Sequence, residues 1–206
     1  MKKIFKLSLV LLTISLATGC TGDEELAPYK PQFFSQTFET HPFGSGSNEV
    51  AIAIEGWTNV NTLGSRKWSC KQFDDNRFAE FSSFYSSAGT DPNDEAWLIT
   101  SKLDFTVTQN ETLNFKVQSR FSNGAELKVL VSTDFDGTPA GISTATWTEV
   151  PFTLPTADNA FMSSGLTDVS AFESNNVYIA FKYIGSKAAN KTTTFQIDNI
   201  KLFENK

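Results

Sequence analysis

From residue 33 onward, apolar residues recur at every second position in short runs, and nearly every run ends at Gly, Asn, Asp, Pro or Ser. A period of two marks a strand with one face buried and the other in water. The clearest runs are V-A-I-A-I at 50–54, A-W-L-I-T at 96–100, L-D-F-T-V at 103–107 and L-N-F-K-V at 113–117. They continue with L-K-V-L-V at 127–131, V-Y-I-A-F-K-Y at 177–183 and F-Q-I-D-N-I-K-L-F at 195–203. No stretch offers three helical turns with one apolar face; A-D-N-A-F-M-S-S-G at 157–165 comes nearest and reads as a loop with one helical turn. Short strands separated by turn clusters predict an all-β domain, an antiparallel two-sheet β-sandwich of the jelly-roll kind. The 19 Phe against 2 Met suit a gap between two sheets that needs large, rigid side chains.

The N-terminus follows a different pattern. Met1, Lys2, Lys3 and Lys6 precede an apolar run from Leu7 to Leu16 that is too short to span a bilayer, the layout of a secretory signal peptide. Ala17, Thr18, Gly19 and Cys20 come next. They resemble the lipobox of bacterial lipoproteins, with Ala17 where Leu is usual. That resemblance implies a signal peptide over 1–19, lipidation at Cys20, a polar tether over 20–32 and one domain over 33–206. Asp23, Glu24 and Glu25 resemble the acidic export signal of surface lipoproteins in glycan-foraging Gram-negative bacteria, which implies an outer-membrane lipoprotein exposed at the cell surface.

Loss of the three lysines of segment 1–19 takes the formal charge from −6 to −9. An acidic surface of this kind argues against a nucleic-acid groove and leaves the lipid anchor as the expected membrane contact. With Cys20 acylated, Cys70 has no partner for a disulfide, and within W-S-C-K-Q-F it reads as a buried thiol.

Several segments, taken in order, resemble the choice-of-anchor J and cleaved-adhesin group of secreted bacterial domains. They are F-E-T near 38, G-W-T-N-V at 56, D-P-N-D-E-A-W-L-I-T-S at 91, L-N-F-K-V at 113, L-V-S-T-D-F-D-G at 130, T-W-T-E-V at 146 and F-Q-I-D-N-I at 195. The resemblance implies a jelly-roll sandwich, often calcium-stabilised, used as an adhesion or carbohydrate-binding module. It also implies no common catalytic residues, and it places a structural calcium near Glu39 and Asp198. Calcium takes several hard oxygen ligands, which loops supply readily. Two turns offer further candidates for that cofactor: Asp91 and Asn93 with Asp94 in T-D-P-N-D-E, and Asp134 with Asp136 in T-D-F-D-G. Asp, Asn, Pro and Gly are also what turns require for their own geometry.

Sugar stacking needs an aromatic face held in the open. Trp97 and Trp147 alternate with core-type residues and read as buried. Trp57 and Trp68 flank N-T-L-G-S-R-K, a polar stretch that reads as a loop presenting an aromatic beside Arg66 and Lys67, and Tyr85 is a similar candidate. Catalytic motifs are missing: there is no G-x-S-x-G, H-E-x-x-H, C-x-x-C or Walker loop, and the one histidine, His41, precedes a turn-forming Pro. Asp74 and Asp75 sit among turn residues. The expected function is therefore a non-catalytic, surface-displayed module that binds a glycan or glycoconjugate. The alternatives are an interaction subunit docking on an envelope protein partner and, third, a glycoside-active enzyme with two facing carboxylates.

Overall fold

The computed structural model describes residues 30–205. The expected signal peptide, the lipidation site Cys20 and nearly all of the tether lie outside the described residues. The described chain folds as a two-sheet antiparallel sandwich, as the alternation predicts.

The strands in chain order are β1 (Gln32–Gln36), β2 (Val50–Ala51), β3 (Thr58–Leu63), β4 (Ser69–Phe73), β5 (Asn76–Phe81), β6 (Asn93–Ile99) and β7 (Thr112–Arg120). They continue with β8 (Glu126–Ser132), β9 (Thr148–Val150), β10 (Met162–Ser163), β11 (Thr167–Asp168), β12 (Tyr178–Ser186) and β13 (Thr194–Phe203). The first sheet runs β10-β7-β13-β5-β4-β2, with β1 also on β13 and β11 also on β7. The second runs β3-β6-β12-β8-β9. Alternation sets which residues meet between the sheets: Phe115 and Val117 of β7 and Phe195 and Ile197 of β13 face Leu98 of β6 and Phe181 of β12.

β13 is the hinge of the first sheet. One of its edges pairs with β7, while the other is shared: residues 195–197 pair with β5, and residues 200–203 pair with β1. The change of partner coincides with a bulge between Asp198 and Lys201, where Asn199 takes φ 49°. The bulge shifts the alternation by one, so that Ile200 and Leu202 join Phe195 and Ile197 in the core.

Three sequence readings are corrected. L-D-F-T-V at 103–107 forms no strand beyond a single bridge from Leu103 to Val177, because Asp104 folds back on itself and accepts from Thr106 N at 2.9 Å and Thr106 Oγ1 at 2.6 Å. The helical turn over 157–165 is instead a turn followed by β10. Asn159 sits at φ 69°, and Asp158 is held by Ser119 and Ser122. The polar stretch N-T-L-G-S-R-K at 61–67 opens as the end of β3, over 61–63, and only residues 64–67 form the expected loop. Earlier in β3, Asn59 donates to the carbonyls of Ile52 and Trp68, and its own oxygen accepts from Trp68 N.

Candidate functional site: an amide-lined groove on the first sheet

On β7 the residues opposite in parity to the core set are Asn114, Lys116, Gln118 and Arg120; on β13 they are Gln196 and Asp198. These outward positions would form an ordinary wet sheet face, but two turns rise beside them. The β4–β5 turn carries Phe73, Asp74 and Asp75, and the segment before β10 carries Asn159 and Phe161. Between them lies an open groove of about 670 Å³. Its apolar surface is aromatic: Phe78 is packed at 5.5 Å against Phe161, and Phe73 stands 71% exposed at the lip. Its polar surface combines the planar amides of Asn76, Gln118, Asn159, Gln196 and Asn199 with charges of both signs. Gln196 donates to Glu80 at 2.6 Å, and Arg120 Nε donates to Asn159 Oδ1 at 3.0 Å, so several side chains are already oriented.

At one end of the groove the sheet has a notch, where β1 ends and β5 begins along the shared edge of β13. Asp198 lies there, 2% exposed. Its carboxylate accepts from Asn199 N at 2.6 Å, from Asn199 Nδ2 at 3.0 Å and from the Asn76 side chain. Burial raises its proton affinity above the ordinary carboxylate value, and the charge of Glu39 pushes the same way; the Asn199 and Asn76 hydrogen bonds and Lys116 oppose them. Glu39 arrives from the loop after β1, and its Oε1 accepts from Arg77 N at 3.2 Å. Arg77 ties that loop down further by donating to the carbonyls of Glu39 at 2.6 Å and His41 at 3.0 Å. His41 itself accepts from Ala53 N through Nε2 at 2.9 Å. Glu39 and Asp198 thus feel each other's charge where β1 and β5 meet end to end.

The remaining sequence candidates scatter. Trp68 is fully buried, packed on Phe81 at 5.9 Å with its indole N–H on the Ala96 carbonyl at 3.3 Å, so it cannot be a stacking platform. Its place in the W-S-C-K-Q-F alternation, in step with the buried Cys70, is what turns it inward. Trp57 is half-buried, stacked at 6.4 Å on Phe34 of β1, away from Arg66. Arg66 and Tyr85 do meet, with the guanidinium 5.2 Å from the ring centroid. Asp134 and Asp136 serve their own turn: Asp134 Oδ1 accepts from Ser132 Oγ and Thr146 N, and Asp136 Oδ1 accepts from Thr138 N and Oγ1, all at 2.8 Å. These bonds lower the proton affinity of both acids. Asp91 bonds Ser65, and Asn93 opens β6. Among the described residues no three His, Cys, Asp or Glu side chains come together as a metal cluster. Cys70 is buried, and its thiol is pushed up to about 11 by desolvation.

Sequence reading missed the groove because it searched loops for Trp, whereas the groove lines a sheet face with Gln, Asn and Phe. The available signal was the run N-x-K-x-Q-x-R from 114 to 120, alternating with the core residues of β7.

A family model described as domain of unknown function (DUF5017) matches residues 100–206, which include β7, β8 and β13. The chain belongs to the DUF5017 family. No curated protein matches it. Among solved structures, this DUF5017 member resembles the K1 cleaved adhesin domain of Lys-gingipain from Porphyromonas gingivalis W83, at TM-score 0.51 and 16% identity over 84% of this chain and 98% of that one. The K3 cleaved adhesin domain of the same protein matches at TM-score 0.50 and 14% identity, over 84% and 100% of the two chains. A CBM22-1 xylan-binding domain from Paenibacillus barcinonensis Xyn10C gives 0.48 and 12%, over 86% and 97%. The two gingipain matches bear out the cleaved-adhesin type of jelly-roll fold.

Proposed function

We propose that this DUF5017 member is a non-catalytic module that binds a glycan chain in the groove of the first sheet, displayed on the outer-membrane surface through a lipid on Cys20. The groove itself carries this reading. A sugar presents hydroxyls that each donate and accept, beside flat C–H faces. Planar amides and carboxylates match the hydroxyls, and the accessible rings of Phe161 and Phe73 match the faces, with Phe78 buried beneath Phe161 as its support. The fold shared with adhesin domains supports a binding role. The test is retention of the purified full chain on a glycan array, compared with Gln118→Ala and Arg120→Ala. Specific retention lost in both variants supports the reading. Retention unchanged in both, or none at all by the folded wild type, overturns it. Anchoring is tested separately by metabolic fatty-acid labelling, which Cys20→Ser abolishes if the anchor is real.

A second reading concerns a structural calcium at Glu39 and Asp198, favoured by the raised proton affinity of Asp198 beside a second carboxylate. Glu39 and Asp198 offer carboxylate oxygens to a hard cation, which would take the place of the amide N–H donors that Asn76 and Asn199 now turn toward Asp198. Calcium there would clamp the end of β1 to the start of β5. A melting temperature that rises with calcium in the wild type, but not in Glu39→Gln, supports it; an equal response in both removes it.

A further inference from the structure

Just past the far end of β7 stands a residue that carries two costs at once. Among the described residues every non-glycine with positive φ is Asn or Asp except Phe121, at φ 53°. Asn and Asp tolerate the left-handed region because their short side chains bond nearby backbone; a phenylalanine has no such compensation and is strained there. Its ring is also 69% exposed. Glycine at 121 would meet the demand of the turn with neither the strain nor the apolar exposure. The loop that follows holds the conformation in place. Asp158 accepts from Ser119 Oγ and from Ser122 N, each at 3.0 Å, and from Ser122 Oγ. Asn123 N donates to Thr193 Oγ1 at 2.9 Å, while the Asn123 side chain donates to Thr192 Oγ1 at 2.8 Å and accepts from Thr192 N at 2.6 Å.

On the other side of Phe121 is Arg120, which lines the groove. Its guanidinium lies 5.3 Å from the Phe121 ring centroid, and its Nε is tied to Asn159. The two terminal nitrogens make no hydrogen bond or ion pair among the described residues. Asp158, the acid of the adjoining loop, is engaged by Ser119 and Ser122 instead. The acids that line the groove lie at its opposite end. Asp198 pairs across the ladder with Lys116, four residues back along β7 and so about 13 Å away, and Asp74 and Asp75 occupy the turn beside it. A chain lying in the groove therefore meets carboxylates at one end, and at the other an oriented, unpaired guanidinium beside an exposed aromatic ring.

We propose that the Arg120–Phe121 end of the groove seats a uronic acid, a sugar bearing a carboxylate on its ring, so that the ligand is an acidic glycan. This rests on the reading of the groove as a glycan site. A guanidinium offers parallel N–H donors matched to the two oxygens of a carboxylate, a charge-assisted pairing that the hydroxyls of a neutral sugar do not equal. The Phe121 ring packs against the C–H faces of the chain beside it. Strain and exposure then have one cause: the forced turn brings an open aromatic next to the fork.

The test is retention of the purified full chain on oligomers of galacturonic, mannuronic, guluronic and glucuronic acid, each paired with its carboxyl-reduced, neutral counterpart, with sulfated neutral oligomers as the competing anion. The wild type is expected to hold at least one acidic oligomer at least tenfold more tightly than its reduced form. Arg120→Gln, which keeps a polar side chain but not the charged fork, should bring that ratio near one, whereas Gln118→Ala should weaken both forms by the same factor. Phe121→Gly removes the ring and relieves the backbone, so retention should fall at least tenfold with a melting temperature no lower than that of the wild type. The inference is overturned if reduced or sulfated oligomers bind as tightly as the acidic ones, if the ratio survives Arg120→Gln, or if Phe121→Gly lowers the melting temperature and leaves retention unchanged. In each of these cases the groove reading stands as long as Gln118→Ala still weakens what is bound. A folded wild type that retains no glycan overturns both.

Discussion

The two outer faces of the sandwich start from the same alternation and end differently. On the second sheet the outward residues Trp97 and Ile99 of β6, Leu130 of β8, and Tyr178 and Ala180 of β12 are apolar. The chain covers them: between β8 and β9 it makes an excursion that lays Phe135, Ile142 and Trp147 across the sheet, with Trp147 5.3 Å from both Trp97 and Phe135. Where the cover ends, Lys182 sits 4.5 Å from the Trp97 ring and pairs with Glu95 at 3.0 Å. On the first sheet the outward residues are amides and charges, and among the described residues no comparable excursion crosses them. One face has become a second small core and the other a groove. An aromatic on an outward strand position is thus a poor guide to function until the loops are placed. The planar polar residues on the open face are the better one.

This contrast makes graded predictions. Phe135→Ala, at the centre of the covered face, is expected to destabilise the protein by about 3–5 kcal/mol in urea unfolding, while leaving glycan retention of the folded fraction intact. If it instead abolished retention without loss of stability, the roles of the two faces would be reversed. Gln118→Ala and Arg120→Ala should do the opposite: at least a tenfold loss of retention, about 1.4 kcal/mol in binding, with an almost unchanged melting temperature. Asp198→Asn sharpens the comparison within the groove. The folded-state proton affinity of Asp198 is raised, so its charge opposes folding above that value, and the penalty fades as pH falls through the window toward the ordinary 3.8. In chelator at neutral pH the Asn variant should therefore melt no lower than the wild type, with any gap closing on acidification. In calcium the order inverts if the notch binds the ion. The smallest effect is expected at Cys70: buried and raised to about 11, it should resist iodoacetamide at neutral pH until the chain unfolds.

The sandwich was legible because alternation is a one-dimensional record of which face is wet. β7, β8, β12 and β13 all contain runs that the sequence displays. What misled was local chemistry. Asn61 and Thr62 made the end of β3 look like the start of a loop, and Asp104 bent a run that alternates perfectly well. The notch was partly legible through Glu39 and Asp198. The groove was not, because it depends on β5, β7 and β13 being adjacent, and on Phe161 arriving from a segment that read as a helical turn. Asp94 was seen as a turn residue; that it faces inward opposite Gly185 is a matter of register, which no spacing along the chain reveals.

The bulge in β13 has a consequence for how this family can vary. Remove Asn199 in thought, and Phe195, Ile197, Ile200 and Leu202 fall into unbroken alternation, with Asp198 and Lys201 on the opposite side. The core would accept a chain one residue shorter, so Asn199 is the natural unit of insertion and deletion in this strand. Its gain or loss would reshape the notch without disturbing the sandwich, giving evolution a way to retune the floor of the groove in a single indel.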